Sequence, residues 1–183
     1  MEKVNDCLYV QRVKAGDIQA FGMIVAKYGK MVFTIVRKIV ENREDAEDIT
    51  QEVFIRVFKS LERFREESEF STWLYRIAYN TTMSELRKKK LFLVSSDSNT
   101  LIDNNLFADE KDDEIEIKLQ YLEKALKKLP PDEIFLVTLH YMDGQSIECI
   151  SKITDLSVSN VKVKLHRIRR KLAVEIGKLM QNE

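Results

Sequence analysis

Glycine and proline are scarce in this sequence, with five Gly and two Pro among 183 residues. Both residues mark turns and interrupt helices, so their scarcity favours long helices over sheets. No apolar run approaches the roughly 20 residues that a membrane-spanning helix needs. The N-terminal stretch MEKVNDCLYV is charged from its second residue and lacks the apolar core of a signal peptide. We therefore expect an all-α protein that acts in the cytoplasm without membrane insertion.

Cysteine and histidine are also rare, and their spacing excludes several kinds of site. Cys7 and Cys149 are the only cysteines, and His140 and His166 the only histidines. No CxxC or HxxxH spacing occurs, so we expect no metal site and two buried free thiols. The sequence also contains no nucleophile–base constellation and no Gly-rich phosphate loop. We predict no catalytic residue, no cofactor and no small-molecule substrate, and we therefore expect a protein that is not an enzyme.

The formal net charge of zero conceals an uneven distribution. Residues 1–90 carry 17 basic and 14 acidic side chains, residues 91–116 carry 1 and 8, and residues 117–183 carry 12 and 8. Two mildly basic blocks therefore flank a strongly acidic segment rich in Ser, Asn and Asp. This pattern predicts two small helical domains, 1–90 and 117–183, joined by a flexible acidic linker at 91–116.

In the first block, apolar residues at helical spacing predict amphipathic helices over 18–40, 44–61 and 73–90. Asp17 precedes the first as an N-cap, and Ser71 or Thr72 precedes the last. The helix over 44–61 leaves one polar side facing outward: Asp45, Asp48, Gln51, Glu52 and Ile55. These acids suit a solvated helix start as well as a docking face for a basic partner, and the apolar Ile55 favours docking.

A polar loop edged by Phe64 and Phe70 joins the second and third of these helices. The helix that follows ends in four consecutive cations, and Arg76 and Asn80 lie earlier on it. Aromatic rings beside a basic helix can stack on unpaired bases while the cations hold phosphates. Trp73 is better explained as a core residue, whereas the role of Phe64 is left open by the sequence.

The second block predicts a helix-turn-helix. Pro131 suits the first position of a helix, and Asp143-Gly144 ends it. Ser146 caps a short helix, and Ser157 caps the last long one, with Asp155 in the turn where glycine is common. In the last helix Val158, Val161, Leu165, Ile168 and Leu172 form one apolar stripe. Six cations and no acid lie between positions 157 and 174, which favours contact with nucleic acid over a merely solvated face.

Two long segments resemble a known family. DAEDITQEVFIRVF followed by FSTWLYRIAYN resembles region 2 of bacterial sigma factors, and LPPDEIFLVTLHYMDGQSIECISKITDLSVSNVKVKLHRIRRKL resembles their region 4. No third domain is recognisable between the two segments, and in this respect the chain resembles the extracytoplasmic-function (ECF) group of sigma factors. The resemblance implies a promoter-specificity subunit that binds the β′ and β subunits of core RNA polymerase and promoter DNA, with an anti-sigma factor as a further expected partner.

The resemblance also implies roles for individual residues. The residues expected to dock on polymerase are Asp45, Asp48, Gln51, Glu52 and Ile55. Those expected to bind the −10 element, including a flipped base, are Phe64, Arg65, Ser68, Phe70, Arg76, Asn80, Arg87, Lys88 and Lys89. Those expected to face the −35 element are Ser159, Asn160, Lys162, Val163, Lys164, His166 and Arg167. Glu66 departs from the pattern, because many relatives have glycine there.

Two other functions remain open from the residues alone. A dimeric helix-turn-helix repressor would bind duplex DNA without polymerase, but residues 1–90 contain no evident ligand pocket. An all-helical adaptor or enzyme ranks last, because no metal cluster, nucleophile–base constellation or Gly-rich phosphate loop supports catalysis.

Overall fold

The computed structural model describes residues 3–95 and 113–181, and within these ranges the chain is built from α-helices without a strand. The helices are α1 (Lys3–Lys14), α2 (Ile18–Ile39), α3 (Arg43–Ser60), α4 (Phe70–Ser95), α5 (Asp113–Lys127), α6 (Pro131–Val137), α7 (Ile147–Thr154) and α8 (Val158–Gln181). A 3-10 turn (Leu61–Arg63) follows α3, and a π-helical turn (Thr138–Met142) extends α6. The all-α prediction is confirmed.

Local sequence determines where the first helices begin. Gly16 adopts a φ of 95° between α1 and α2, a conformation that favours glycine. The Asp17 side chain then caps α2 by accepting a hydrogen bond from the Ala20 amide at 3.3 Å, as predicted. The Asn42 side chain caps α3 in the same way, with the Asp45 amide at 3.0 Å.

Helix α4 is longer than the sequence pattern predicts. It begins at Phe70 and ends at Ser95. The prediction that Ser71 or Thr72 caps it is wrong, since both lie inside the helix. Packing is the reason: Phe70 is buried against Trp73, with ring centroids 5.7 Å apart, and this contact draws Phe70 into the first turn. The C-terminal extension of α4 and the start of α5 both fall within the segment predicted as linker. The rest of that segment, 96–112, lies outside the described residues.

Helices α6, α7 and α8 begin at the predicted residues. Pro131 opens α6, Ser146 accepts a hydrogen bond from the Cys149 amide at 3.1 Å, and Ser157 accepts one from the Asn160 amide at 3.2 Å. Gly144 has a φ of 65° just after the π-helical turn. The predicted stripe of α8 faces inward: Val161, Leu165 and Ile168 are buried, and Val158 and Leu172 are half-buried.

The two groups of helices, α1–α4 and α5–α8, contact each other and share one continuous core. Helix α4 packs on α6 and α7, and α2 packs on α6. Tyr75 of α4 and Phe135 of α6 are both fully buried in this arrangement. The chain therefore has two helical domains whose faces are in direct contact.

Both cysteines are free thiols, but the prediction that both are buried is wrong for Cys7. Cys7 is exposed because it lies on the outward side of α1, whereas Cys149 is half-buried where α7 meets α4. Among the described helices none is long and apolar enough to span a membrane.

Candidate nucleic-acid interface

The acidic face of α3 consists of Asp45, Asp48, Gln51, Glu52 and Ile55. Asp48, Gln51 and Ile55 are exposed, and Asp45 and Glu52 are half-buried. The inward side of the same helix buries Ala46, Val53 and Val57, so this face points away from the core. The face offers carboxylates around one exposed apolar side chain, which suits a basic partner that also buries apolar surface.

Several acids near α3 are paired with cations on the same molecule. Arg56 donates to Glu52 at 2.6 Å, and this bond holds the pKa of Glu52 below its usual value. Lys89 of α4 donates to Asp45, and Lys88 donates to Glu85 at 2.8 Å. Two of the cations predicted to hold DNA phosphates are thus ion-paired in this conformation.

The loop between α3 and α4 is organised by three aromatic rings. The centroid of the Phe64 ring lies 5.6 Å from that of Phe70 and 5.0 Å from that of Trp73. Phe64 and Phe70 are each only 4% exposed, so neither presents a ring face for stacking on a base in this conformation. The expectation that Trp73 is a core residue is supported, because it is partly buried and packs on the core.

The backbone of this loop is fixed at two further points. Lys14 of α1 donates from Nζ to the carbonyl oxygen of Phe64 at 2.7 Å, across 50 residues of sequence. Glu66 has a φ of 59°, in the left-handed region that favours glycine. Arg65 and Glu66 are exposed and Ser68 is half-buried, so the polar tip of the loop faces solvent.

On α4 the predicted DNA-binding residues lie along the outward side. Asn80 and Arg87 are exposed, and Leu74 and Ala78 face the core. The guanidinium of Arg76 is also outward but contacts the Asp155 carboxylate in the turn between α7 and α8. Arg76, Asn80 and Arg87 therefore share one flank of α4, on which Arg76 meets the C-terminal domain, whereas Lys89 turns towards α3.

Most of the predicted −35 residues lie on the solvent side of α8. Those that the structure leaves exposed are Ser159, Asn160, Lys162, Val163, His166 and Arg167. Together with the exposed Arg169 and Arg170 they form one strongly cationic surface, opposite the buried stripe. A helix with small polar residues at its N-terminal end and cations beyond can read base edges and hold phosphates.

Lys164 differs from the other predicted −35 residues. It is half-buried, and its ammonium donates to the Asp132 carboxylate at 2.7 Å, which raises the pKa of Lys164 above its ordinary value. This ion pair joins α8 to the first turn of α6. Lys164 thus occupies the flank of α8 that faces the protein, where it is not available to DNA in this conformation.

Sequence reasoning missed the residues that join the two domains. Tyr75 donates to Asp143 at 2.6 Å, and Asp155, the partner of Arg76, has a φ of 57°. The one available signal was Asp155 itself, a residue other than glycine at a turn position where glycine is common. Nothing in the sequence pattern indicated the roles of Tyr75, Asp143 or Lys14.

Two family models match the chain. Sigma-70 region 2 matches residues 24–92, and Sigma-70 region 4 matches residues 119–172. The first match contains α3, the loop and the outward side of α4, and the second contains the helix-turn-helix. Helix α1, including Lys14, lies before the first match.

The chain is similar along its whole length to curated relatives. It is 33% identical to the ECF RNA polymerase sigma-E factor of Haemophilus influenzae, covering 98% of this chain and 99% of the relative. It is 32% identical to the ECF RNA polymerase sigma-E factor of Escherichia coli K12, covering 98% of each chain. Its fold is similar to that of the sigma factor RpoE from Bartonella quintana, solved in complex with the anti-sigma factor NepR (TM-score 0.73, 20% identity, covering 87% of this chain and 98% of that one).

Proposed function

The chain belongs to the ECF family of RNA polymerase sigma factors, and from that membership we propose that it binds core RNA polymerase and directs promoter-specific initiation. The polymerase carries out the chemistry, while this chain supplies the choice of start site. The observation that carries the proposal is the presence on one chain of three separate surfaces: the acidic face of α3, the outward side of α4 with its loop, and the cationic side of α8. The chain acts in the cytoplasm, with the polymerase.

The acidic face of α3 docks on the β′ subunit. Exposed Asp48 and Gln51 flank Ile55, which is 45% exposed. Carboxylates attract a basic helical surface at long range, and one apolar side chain buried at the centre adds affinity. The C-terminal domain contacts the β subunit, and an anti-sigma factor competes with polymerase for the chain.

The N-terminal domain, 1–90, captures one unpaired base of the −10 element. A base must leave the stack before its pairing edge can be read, and exposed Asn80 provides both a donor and an acceptor for that edge. Arg65, Arg76, Arg87, Lys88 and Lys89 hold the adjacent backbone. Because Phe64 and Phe70 are buried, we assign them the role of supporting the loop from below, with Ser68 at its tip.

The C-terminal domain, 117–183, binds the −35 element as duplex. Ser159, Asn160 and Val163 meet bases in the major groove, and the cations beyond them contact phosphates and base edges. The acidic segment 91–116 joins the domains, and its net charge of −7 limits the affinity of the free chain for DNA.

Run-off transcription with core polymerase tests the proposal directly. Adding this chain should produce promoter-dependent transcripts that core polymerase alone does not make. The template is chosen by screening promoters upstream of genes in the same genome. DNA binding and repression without polymerase, with no initiation on any template, would establish the repressor hypothesis instead.

A matched pair of variants tests the division of labour on the N-terminal domain. Asp48→Lys should weaken binding to core polymerase, since it reverses an exposed charge in the docking face. Asn80→Ala should leave polymerase binding nearly intact and impair promoter melting, which permanganate reactivity of unpaired thymines reports. Loss of polymerase affinity in Asn80→Ala would contradict this assignment of roles.

A further inference from the structure

The outward side of α8 carries one apolar residue among polar and cationic ones. Val163 is 47% exposed. Among residues 157–171, all of which the structure describes, it is the only exposed apolar side chain. The other valines of this stretch are accounted for by the core, because Val161 is buried and Val158 is half-buried. Packing of the fold therefore does not explain a valine at position 163.

Val163 also lies at the centre of the outward side. With about 100° of rotation per residue, the buried residues Val161, Leu165 and Ile168 point in one direction, and Val163 points almost opposite to it. It lies in the second turn of a helix that begins at Val158. In a helix-turn-helix, the N-terminal residues of the second helix meet the base edges. Val163 is therefore the side chain directed at the floor of the groove.

Polar side chains surround Val163 at one helical turn on either side. Ser159 and Asn160 precede it, His166 and Arg167 follow it, and all four are exposed. Each of these four can form hydrogen bonds with a base edge or a phosphate, whereas valine has neither a donor nor an acceptor. The centre of this surface therefore reads DNA by apolar contact, and the groups around it read DNA by hydrogen bonds.

Neighbouring cations do not cover Val163. The ammonium of Lys164 donates to the Asp132 carboxylate at 2.7 Å on the flank beside α6. Lys162 points about 100° to the other side of Val163. The valine side chain can therefore approach a base edge without a longer side chain in between.

Thymine is the base that offers an apolar group in the major groove, since its C5-methyl projects there. The edges of guanine, adenine and cytosine present donors and acceptors at that side. A valine pressed against those groups would remove their water without replacing the hydrogen bonds. Against the thymine methyl, both partners lose water and gain van der Waals contact. The side chain thus favours thymine and disfavours the other bases.

We propose that Val163 selects one thymine of the −35 element by contact with its C5-methyl group. This inference rests on the proposed function, in which α8 enters the major groove of the −35 duplex. It adds to that function the base, and the atom of the base, that one residue reads. The contact is uncharged, so it specifies sequence without contributing to the salt-dependent attraction between α8 and the phosphates.

Removal of a single methyl group from DNA tests the proposal. The full chain is assembled with core polymerase, and promoters with a randomised −35 element are selected for run-off transcription. Each thymine of the selected element is then replaced in turn by deoxyuridine, which lacks the C5-methyl and keeps every hydrogen-bonding group. Competition binding gives the ratio of the Kd for the deoxyuridine template to the Kd for the thymine template.

Three variants of the chain accompany the wild type. Val163→Ala removes the contact, and Val163→Ile keeps an apolar β-branched side chain at the same position. Val174→Ala is the matched control, since Val174 is a valine on the same helix and is 56% exposed. It lies about 16 Å further along the axis, away from the residues proposed to meet bases.

The expected effect is confined to one thymine. The wild-type ratio there should be about three- to five-fold, which is the value of one buried methyl group. Val163→Ala should bring this ratio close to one, whereas Val163→Ile and Val174→Ala should keep it. Higher salt should weaken the binding of every template and leave the ratio unchanged.

The outcomes separate this inference from the proposed function. If the wild-type chain gives no run-off transcripts on any template, the proposed function is wrong. If transcription occurs but no thymine is selected, or deoxyuridine has no effect at any position, only the assignment of Val163 is wrong. An unchanged ratio in Val163→Ala would mean that another residue reads the methyl. Loss of the ratio in Val174→Ala would mean that the preference does not come from a local contact, and would also overturn the assignment.

Discussion

At the residue scale, two side chains occupy backbone conformations that normally belong to glycine. Glu66 has a φ of 59° and Asp155 a φ of 57°. A left-handed conformation costs a residue other than glycine roughly 1–2 kcal/mol, so each position needs a compensating reason. Asp155 has one in its contact with Arg76. Glu66 is exposed, and no contact in the described parts of the chain explains it.

Glycine substitution at these two positions should therefore have different effects. Glu66→Gly should stabilise the fold by about 0.5–1 kcal/mol, because relief of the backbone exceeds the entropy that glycine adds to the unfolded chain. Asp155→Gly should stabilise the fold by less, since this variant also loses the pairing with Arg76. Urea denaturation followed by circular dichroism measures both. A larger gain for Asp155→Gly than for Glu66→Gly would show that the contact with Arg76 does not stabilise the protein.

A second residue-scale feature is the bond from Lys14 to the carbonyl oxygen of Phe64. It ties α1 to the loop that carries the proposed base-capture site. A hydrogen bond from a charged donor contributes about 1.5–3 kcal/mol when well shielded, and less at a partly exposed site. We therefore expect Lys14 to affect DNA recognition by positioning the loop, without touching DNA itself.

Lys14→Met should weaken promoter opening roughly five-fold, corresponding to about 1 kcal/mol, and leave polymerase affinity unchanged. The matched control is Arg12→Met, which removes the same charge from the same helix but affects only the pairing with Asp17 at 2.7 Å. Permanganate footprinting reports opening, and a binding titration reports polymerase affinity. Equal losses of promoter opening in both variants would mean that the lost positive charge, and not the bond to the Phe64 carbonyl, causes the loss.

At the element scale, the proposed function gives α8 one flank for DNA and another for the fold. Arg167 lies on the exposed flank, while Lys164 is pinned to Asp132 on the flank beside α6. From the sequence alone we predict the same role for these two cations, because both lie in the same basic helix. Because Lys164 is paired within the protein and Arg167 is exposed, we expect a structural role for Lys164 and a recognition role for Arg167.

Alanine substitutions should reveal this difference. Arg167→Ala should cost about 1–3 kcal/mol in −35 binding and leave stability unchanged. Lys164→Ala should lower stability by up to about 1 kcal/mol, with Asp132→Asn as the matching variant. Because pairing raises the pKa of Lys164 above its ordinary 10.5, its contribution is complete below pH 10.5 and is lost as pH rises through the higher folded value. Unfolding curves near neutral pH and above pH 10.5 check this.

What the sequence predicts at this scale follows from local physics. Three helix starts are predicted because the side chains of Asp17, Ser146 and Ser157 accept hydrogen bonds from amides three residues ahead. The local sequence is sufficient to predict such a cap. The start of α4 is not predicted because Phe70 also packs on Tyr28 of α2, with ring centroids 5.7 Å apart, and this contact is distant in sequence. The buried positions of Phe64 and Phe70 likewise depend on packing between elements, which periodicity does not encode.

At the scale of the whole molecule, the main feature absent from the sequence pattern is the closure of one domain on the other. Composition predicts two mildly basic blocks with an acidic segment between them. The structure brings the two domains together through Tyr75, Tyr79 and Phe135, with Arg76 and Asp155 at the exposed edge. Long-range burial of apolar surface therefore decides the arrangement, and net charge does not.

This origin of closure predicts how the free chain responds to salt. A compact chain of this length has a radius of gyration of about 16 Å, and separation of the domains would increase it by several Å. Raising salt from about 0.1 M to about 1 M shortens the screening length from about 10 Å to about 3 Å, which weakens the exposed Arg76–Asp155 pair but not the buried contacts. Small-angle scattering should therefore give nearly the same radius at both salt concentrations, whereas Tyr79→Asp should expand the chain at both. If wild type expands with salt as much as Tyr79→Asp does, charge attraction is the force that closes the molecule, and the buried rings contribute little.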